Sequence, residues 1–173
     1  MELSDDVIRL RRLEPSDAPA IAAACADPEL GRFIPGIPVP YTVDDAEAYL
    51  RIAAREWKAG TRRAFAVAKT SAPELCGTVD VDLREVGTIG YWIAPEYRGR
   101  GLATRALLLL SRWAVTDGKV ERLELTTHPE NVASQRVAEK AGFVREGVLR
   151  AYLRVSEGRR DSVLFSLLPS DLD

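Results

Sequence analysis

The chain has 173 residues, of which 46% are hydrophobic and 29% charged; it can bury a core, and the apolar content excludes a disordered chain. With 24 basic and 26 acidic residues its net charge is −2, which argues against a dedicated nucleic-acid coat and against a strongly electrostatic membrane binder. Two cysteines and one histidine form neither a disulfide framework nor a zinc or haem site, so no metal is expected.

The start, Met1-Glu2-Leu3-Ser4-Asp5-Asp6, has no positive region and no apolar stretch of a secretory signal. Apolar runs such as residues 106–110 are far too short to span a membrane. A cytoplasmic protein in one domain over residues 1–173 is the expectation, with no membrane and no nucleic-acid partner. Residues 7–13 alternate apolar and basic and predict an opening strand. Residues 15–26 are Ala-rich, with Ser16 as a cap, and predict a helix that Pro28 ends. Residues 31–40 hold three prolines and two glycines and read as a loop.

Thr42 starts a second helix, with Asp44, Asp45 and Glu47 early in it, where the helix dipole favours negative charge. Ala46, Leu50, Ala53, Ala54 and Trp57 give that helix an apolar face, and Gly60 follows its end. Strands are expected at residues 64–69, 75–83 and 86–93, with short turns that suggest an antiparallel meander. Residues 102–116 carry the strongest helical spacing, and Gly118 ends it. A strand at 121–127 and a helix at 131–141 follow, with Asn131 as cap and Gly142 past the end. Residues 143–152 and 161–168 read as a closing hairpin around Glu157-Gly158. The order β-α-α-β-β-β-α-β-α-β-β is a mixed α/β domain.

Two segments carry chemistry. In the first, residues 89–104, an apolar strand runs into a Gly- and Arg-rich turn and then into an amphipathic helix. A helix start offers unpaired N–H groups and a positive dipole end, which suits a phosphate. Gly99 and Gly101 let backbone amides close on an anion, and Arg98 and Arg100 can add charged hydrogen bonds. A Walker A loop would need Gly-Lys-Ser/Thr, and the Rossmann pattern fails at Thr104. The plain alternative is a glycine-bearing turn with surface arginines. The second segment, residues 126–143, contains Asn131, Ser134 and a Glu-Lys-Ala-Gly-Phe run.

Together the two segments resemble the GNAT superfamily of acetyl-CoA-dependent N-acetyltransferases. Arg98, Gly101 and Ala103 match its Arg/Gln-x-x-Gly-x-Gly/Ala motif, and the second run is similar to the ribosomal-protein (RimJ/RimL-like) branch. The resemblance covers nearly the whole chain. It implies the GNAT fold, a twisted mixed central sheet with helices on both faces. It implies acetyl-CoA as cofactor, with the pyrophosphate on Arg98, Gly99, Arg100, Gly101, Leu102, Ala103 and Thr104. The pantetheine arm would lie along Tyr91, Trp92 and Ile93, and Asn131 would contact it; the plain alternative for Asn131 is a helix cap. Ser134 would meet the cofactor sulfur as the catalytic hydroxyl, because the position of the tyrosine acid common in the superfamily is Ala138 here.

The general base is missing from its usual place. Relatives commonly put Glu two residues before the Gly-Tyr of this strand, and here that residue is Thr88. Glu85 could substitute only in a bulged strand, and His128, before Pro129, reads more simply as a loop residue. A site without a strong base tolerates an α-amine, with a pKa of about 7.7–8.0, better than a lysine amine near 10.4. The expected reaction is therefore direct acetyl transfer to an α-amine such as a protein N-terminus. The alternatives are a small-molecule amine acceptor, or an acyl-CoA-binding protein without catalysis. The oligomeric state is open between monomer and homodimer. Phe33, Tyr41 and Trp57 stand where relatives shape the acceptor pocket, with a core role favoured for Trp57. Arg9, Arg11, Arg12, Arg150, Arg154, Arg159 and Arg160 read as solvated faces, and Cys25 and Cys76 as small core residues.

Overall fold

Ile8 and Leu10 are fully buried while Arg9 and Arg11, which alternate with them, are not, the period-two pattern of a strand with one face on a core. The computed structural model describes residues 1–155 and 158–172. Its strands are β1 (Leu3–Ser4), β2 (Ile8–Arg12), β3 (Arg62–Lys69), β4 (Leu75–Asp82), β5 (Gly87–Ile93), β6 (Leu123–Thr127), β7 (Val144–Val155) and β8 (Gly158–Leu167). They form one mixed sheet in the order β1-β2-β3-β4-β5-β6-β8-β7. All neighbours are antiparallel except β5 and β6.

That parallel pair positions everything that follows. β4 pairs with β5 from Thr88 to Ile93, but β6 joins β5 only at Gly87 and Thr88. Beyond Thr88 the two strands part, while β6 stays on β8 through Thr127. The sheet is therefore split at its centre from residue 89 of β5 onward.

Helices cover both faces, as the sequence predicted. On one face α4 (Leu102–Thr116) buries Leu102, Ala106, Leu107, Leu110 and Ala114 against Ile8, Leu10, Phe65, Val79, Ile89 and Leu123. The short α5 (Val132–Lys140) joins that core through Ala138. On the other face α1 (Ala18–Cys25), α2 (Pro28–Phe33) and α3 (Val43–Ala59) pack around Ala66 and Leu75. Thr42 and Asp45 form the capping box of α3, and Gly60 closes it at φ 78°.

Several expectations need correction. Pro28 does not merely end a helix: it opens α2, as the first residue after the cap Asp27, whose carboxylate accepts from the Glu29 amide. The loop expected from residue 31 therefore begins after Phe33. The first helix opens as a 3₁₀ turn at Pro15–Asp17, boxed by Glu14 and Asp17 rather than capped by Ser16. β1 is an extra strand, too short to give a sequence signal. The closing strands are longer than expected; Gly158 begins β8, and Glu157 lies outside the described residues. No helix among the described residues is long and apolar enough to cross a membrane.

Candidate active site

The split between β5 and β6 is where the two signal segments meet. β5 runs through a 3₁₀ turn at Pro95–Tyr97 and the Gly99-Arg100-Gly101 bend into α4. β6 runs through residues 128–131 into α5. Both helices start at the open end of the split, and their starts differ.

Gly101 caps α4 in the left-handed region, φ 76°, and no side chain caps the helix. Its leading amides point out of the helix start with the positive end of the dipole, an anion cradle made of backbone. Asn131 caps α5 with its own side chain: Oδ1 accepts from the Ser134 amide at 3.0 Å. Asn131 also lines both clefts described below, and the cap engages only its oxygen, so cap and ligand contact do not exclude each other.

Ser134 Oγ lies 2.9 Å from the Tyr91 hydroxyl. Tyr91 reaches it because residues 89, 91 and 93 of β5 face α4 and α5, whereas Trp92 packs on the α1–α3 side. Burial raises the Tyr91 pKa above the ordinary phenol value, with the Ser134 hydrogen bond pulling the other way. At neutral pH the phenol keeps its proton and can direct the serine lone pairs.

Two clefts open on this point. One, of about 450 Å³, runs from the α4 start past Tyr97 and along α5; its lining includes Arg98, Gly99, Gly101, Leu102, Ala103, Thr104, Asn131 and Ser134. The other, of about 740 Å³, lies under α2 and α3; its lining includes Tyr41, Tyr49, Asp80, Gly90 and His128. They share Phe33, Ile34, Tyr91, Trp92, Asn131 and Ser134. A donor in the first cleft and an acceptor in the second would meet beside the Ser134 hydroxyl.

Tyr91, Trp92 and Ile93 line the first cleft, where the resemblance put the pantetheine arm, and Leu102, Ala103 and Thr104 line its mouth. Arg100 does not line it; its guanidinium lies 5.9 Å from the Tyr97 ring centroid. Arg98 lines it, but its side chain is engaged. Nε donates to the Ile93 carbonyl at 3.0 Å, and its terminal nitrogens donate to Glu29 and Asp27 at 2.7 Å each. The sequence also missed Arg136 and Lys140, basic residues of α5 that line the same cleft. Their four-residue spacing on one helix face was the available signal.

The candidate bases divide clearly. Thr88 is exposed, and β5 pairs with β4 without a register shift, so Glu85 stays in the exposed loop outside the strand. His128 lines the second cleft beside Phe33, at 5.8 Å between ring centroids. Its Nδ1 accepts the Glu130 amide, so the neutral ring carries its proton on Nε2 and presents a donor. Tyr41 and Phe33 line the second cleft, while Trp57 packs edge-on to Phe65 in the core with Arg12 and Arg63 over its ring. Among the arginines read as solvated, Arg11 instead pairs with the buried Asp17, and Arg159 donates to the Ala151 and Tyr152 carbonyls. Cys25 and Cys76 are buried and free, and burial pushes the Cys25 thiol up to about 11. Among the described residues no cluster of His, Cys, Asp or Glu could hold a metal.

Residues 8–144 match the family model of the acetyltransferase (GNAT) domain. The chain is 29% identical over 173 residues to YdaF of Bacillus subtilis, provisionally assigned as a ribosomal N-acetyltransferase, covering 93% of this chain and 91% of that one. It is 30% identical over 112 residues to the probable N-acetyltransferase YjcK of the same organism, spanning 62% of that protein's length and 62% of its own. Among solved structures, Mycobacterium smegmatis RimJ in complex with CoA-disulfide superimposes with a TM-score of 0.89 at 27% identity, over 99% of this chain and 89% of that one.

Proposed function

Because this chain belongs to the GNAT acetyltransferase family, and with it is an N-acetyltransferase that uses acetyl-CoA, we propose that its acceptor is the α-amine of a peptide or protein N-terminus. The observation that carries this reading is Thr88, exposed at the position where, by the resemblance, members of the family commonly place a glutamate base. At neutral pH roughly a tenth or more of an α-amine is already neutral, against well under a thousandth of a free lysine amine. The ribosomal assignment of YdaF agrees with such a substrate.

In this reading the backbone start of α4 receives the pyrophosphate, Asn131 touches the pantetheine arm, and β5 amides face the acetyl carbonyl. Bound acetyl-CoA supplies the activated acyl group. The protein contributes alignment, and the Ser134 hydroxyl, directed by Tyr91, donates a hydrogen bond to sulfur as negative charge develops there. The amine attacks directly, and the buried, weakly acidic thiols of Cys25 and Cys76 make poor nucleophiles for a covalent route.

The test has two parts. Acetyl-CoA at about 100 times its dissociation constant should add roughly 2.7 kcal/mol to folding stability, read as a thermal shift. Turnover is then compared on an alanine-first peptide lacking lysine and on an N-capped peptide with one lysine. Faster acetylation of the lysine peptide would sink the α-amine reading. No thermal shift at millimolar acetyl-CoA would sink the cofactor assignment as well.

A further inference from the structure

One carboxylate in the second cleft belongs to no role described so far. Asp80 on β4 stands directly across from Gly90 of β5, so it shares a sheet face with Thr88 and Trp92. Its side chain is 10% exposed, on the floor of the second cleft. Arg62 of β3 donates from Nε to Oδ1 at 2.8 Å, and one of its terminal nitrogens forms an ion pair with the same oxygen at 2.6 Å. No hydrogen bond from a described residue reaches Oδ2. That oxygen is the one nearest Gly90, where an added Cβ would stand only 3.4 Å away. A side chain at position 90 would roof the carboxylate; glycine leaves it open to the cleft just where β5 and β6 part.

We propose that Asp80 is the acceptor-side base of this enzyme: Oδ2 binds the incoming ammonium and takes its proton. The inference rests on the acetyl-transfer reading above and deepens it. Asp80 occupies the same sheet face as Thr88, two cross-strand pairs nearer the Trp92 end, so it moves the usual carboxylate to the neighbouring strand. The proton count closes. The ammonium loses one proton to Oδ2, and the freed lone pair attacks the thioester carbon. The C–N bond forms and the C–S bond breaks. The second nitrogen proton passes by way of the Ser134 hydroxyl to the departing sulfur, which leaves as thiol. Asp80 then returns its proton to water.

The electrostatics fit that task. Burial pushes the Asp80 carboxyl up to about 6, with Arg62 pulling it back down. Glu56 from α3 and Asp82 from its own strand push it up further, Tyr49 of α3 faces it, and β5 contributes only the bare Gly90. Such a base lies about two pK units below an α-ammonium but more than four below a lysine ammonium, so it too favours α-amines.

The rival role is structural, a stitch between β3 and β4. Asp80→Asn removes the base but keeps the shape, and Arg62 retains Glu56 at 3.9 Å. The panel holds the alanine-first peptide, the lysine peptide and a polyamine, and the variant is read on whichever is turned over. The expected result is a fall in kcat/KM of at least about a hundredfold, with an unchanged thermal shift on acetyl-CoA. The wild-type acidic limb, where activity falls as pH drops through about 6, should vanish, leaving only the limb set by the amine. Asp80→Asn/Thr88→Glu should recover part of the rate, which a lost structural stitch would not allow. Independently of turnover, the Asp80 carboxyl resonance should shift when the alanine-first peptide is added to the complex with free CoA. Wild-type turnover with an Asp80→Asn variant that keeps its rate and its acidic limb overturns the proposal while leaving the acetyl-transfer reading standing. Turnover of none of the amines overturns both.

Discussion

The starts of α4 and α5 sit side by side at the mouth of the split sheet, yet they are built differently. α4 begins on a left-handed glycine with no side-chain cap, and it is anchored by a spine of fully buried residues. α5 begins on a side-chain cap, carries Ser134 in its first turn, and buries only Ala138. The first start offers charge from its backbone, which no side chain has to supply. The second offers individual functional groups on a lightly held helix. A rigid cradle suits the ionic end of a donor, and adjustable side chains suit its reacting end.

The largest effect should come from loosening the rigid half. Leu107→Ala empties a fully buried site under the sheet and should cost about 2–5 kcal/mol in chemical denaturation. Val132→Ala, at an exposed position of α5, should stay within about 0.5 kcal/mol. Losses of similar size at the two positions would break the contrast.

Next comes the reacting end. On the proposed role, Ser134→Ala removes a hydrogen bond to developing thiolate, worth about 1.5–3 kcal/mol for a charged partner, so kcat should fall roughly ten- to hundredfold. The KM for acetyl-CoA should barely move. Tyr91→Phe should cost less, because it only frees the serine to rotate. The double variant should be no slower than Ser134→Ala alone, since the phenol acts through the hydroxyl. Multiplying losses would show that Tyr91 acts on its own.

Much of this was legible in the sequence because local rules dominate where the signals are dense. The order of the large elements, the α4 spacing and the Asn131 cap all follow from periodicity and capping chemistry. What stayed hidden depends on pairing across the sheet. Asp80 reads in the sequence as one acid among alternating valines; only its register opposite Gly90 turns it toward the cleft. The Tyr91–Ser134 contact spans 43 residues and needs both strands of the split. α2 is hidden in the sequence because Pro28 resembles a helix stop, although proline is equally at home in the first turn of a helix.

Asn131 separates capping from recognition. Asn131→Ala should cost about 0.5–2 kcal/mol of stability through the lost cap. Asn131→Asp keeps an accepting oxygen for the Ser134 amide, loses the side-chain N–H₂ and adds a charge, so its binding is measured at high salt, where that charge is screened. If the N–H₂ touches the pantetheine arm, the aspartate variant folds normally but binds acetyl-CoA more weakly by isothermal calorimetry. Unchanged affinity would leave Asn131 as a cap alone.

The smallest effect concerns Arg98. The resemblance assigns its side chain to the pyrophosphate, but here it spans the Ile93 carbonyl and two carboxylates of the α2 start. Its side chain is 33% exposed, so these pairs are screened, and Arg98→Gln should cost under about 1 kcal/mol of stability. As a clamp, Arg98 holds the helix that carries Phe33, one of the side chains both clefts share, against the turn before α4. The double variant Asp27→Asn/Glu29→Gln should then reproduce the thermal loss of Arg98→Gln, and neither should change acetyl-CoA affinity more than about threefold. As a pyrophosphate ligand, Arg98 would behave oppositely. Its loss would weaken binding at least about tenfold at low salt, whereas neutralising the two acids would free the guanidinium and tighten binding. The two roles predict opposite signs for the acid variant, so one binding isotherm on Asp27→Asn/Glu29→Gln decides between backbone-only recognition at α4 and recognition that also recruits a side chain.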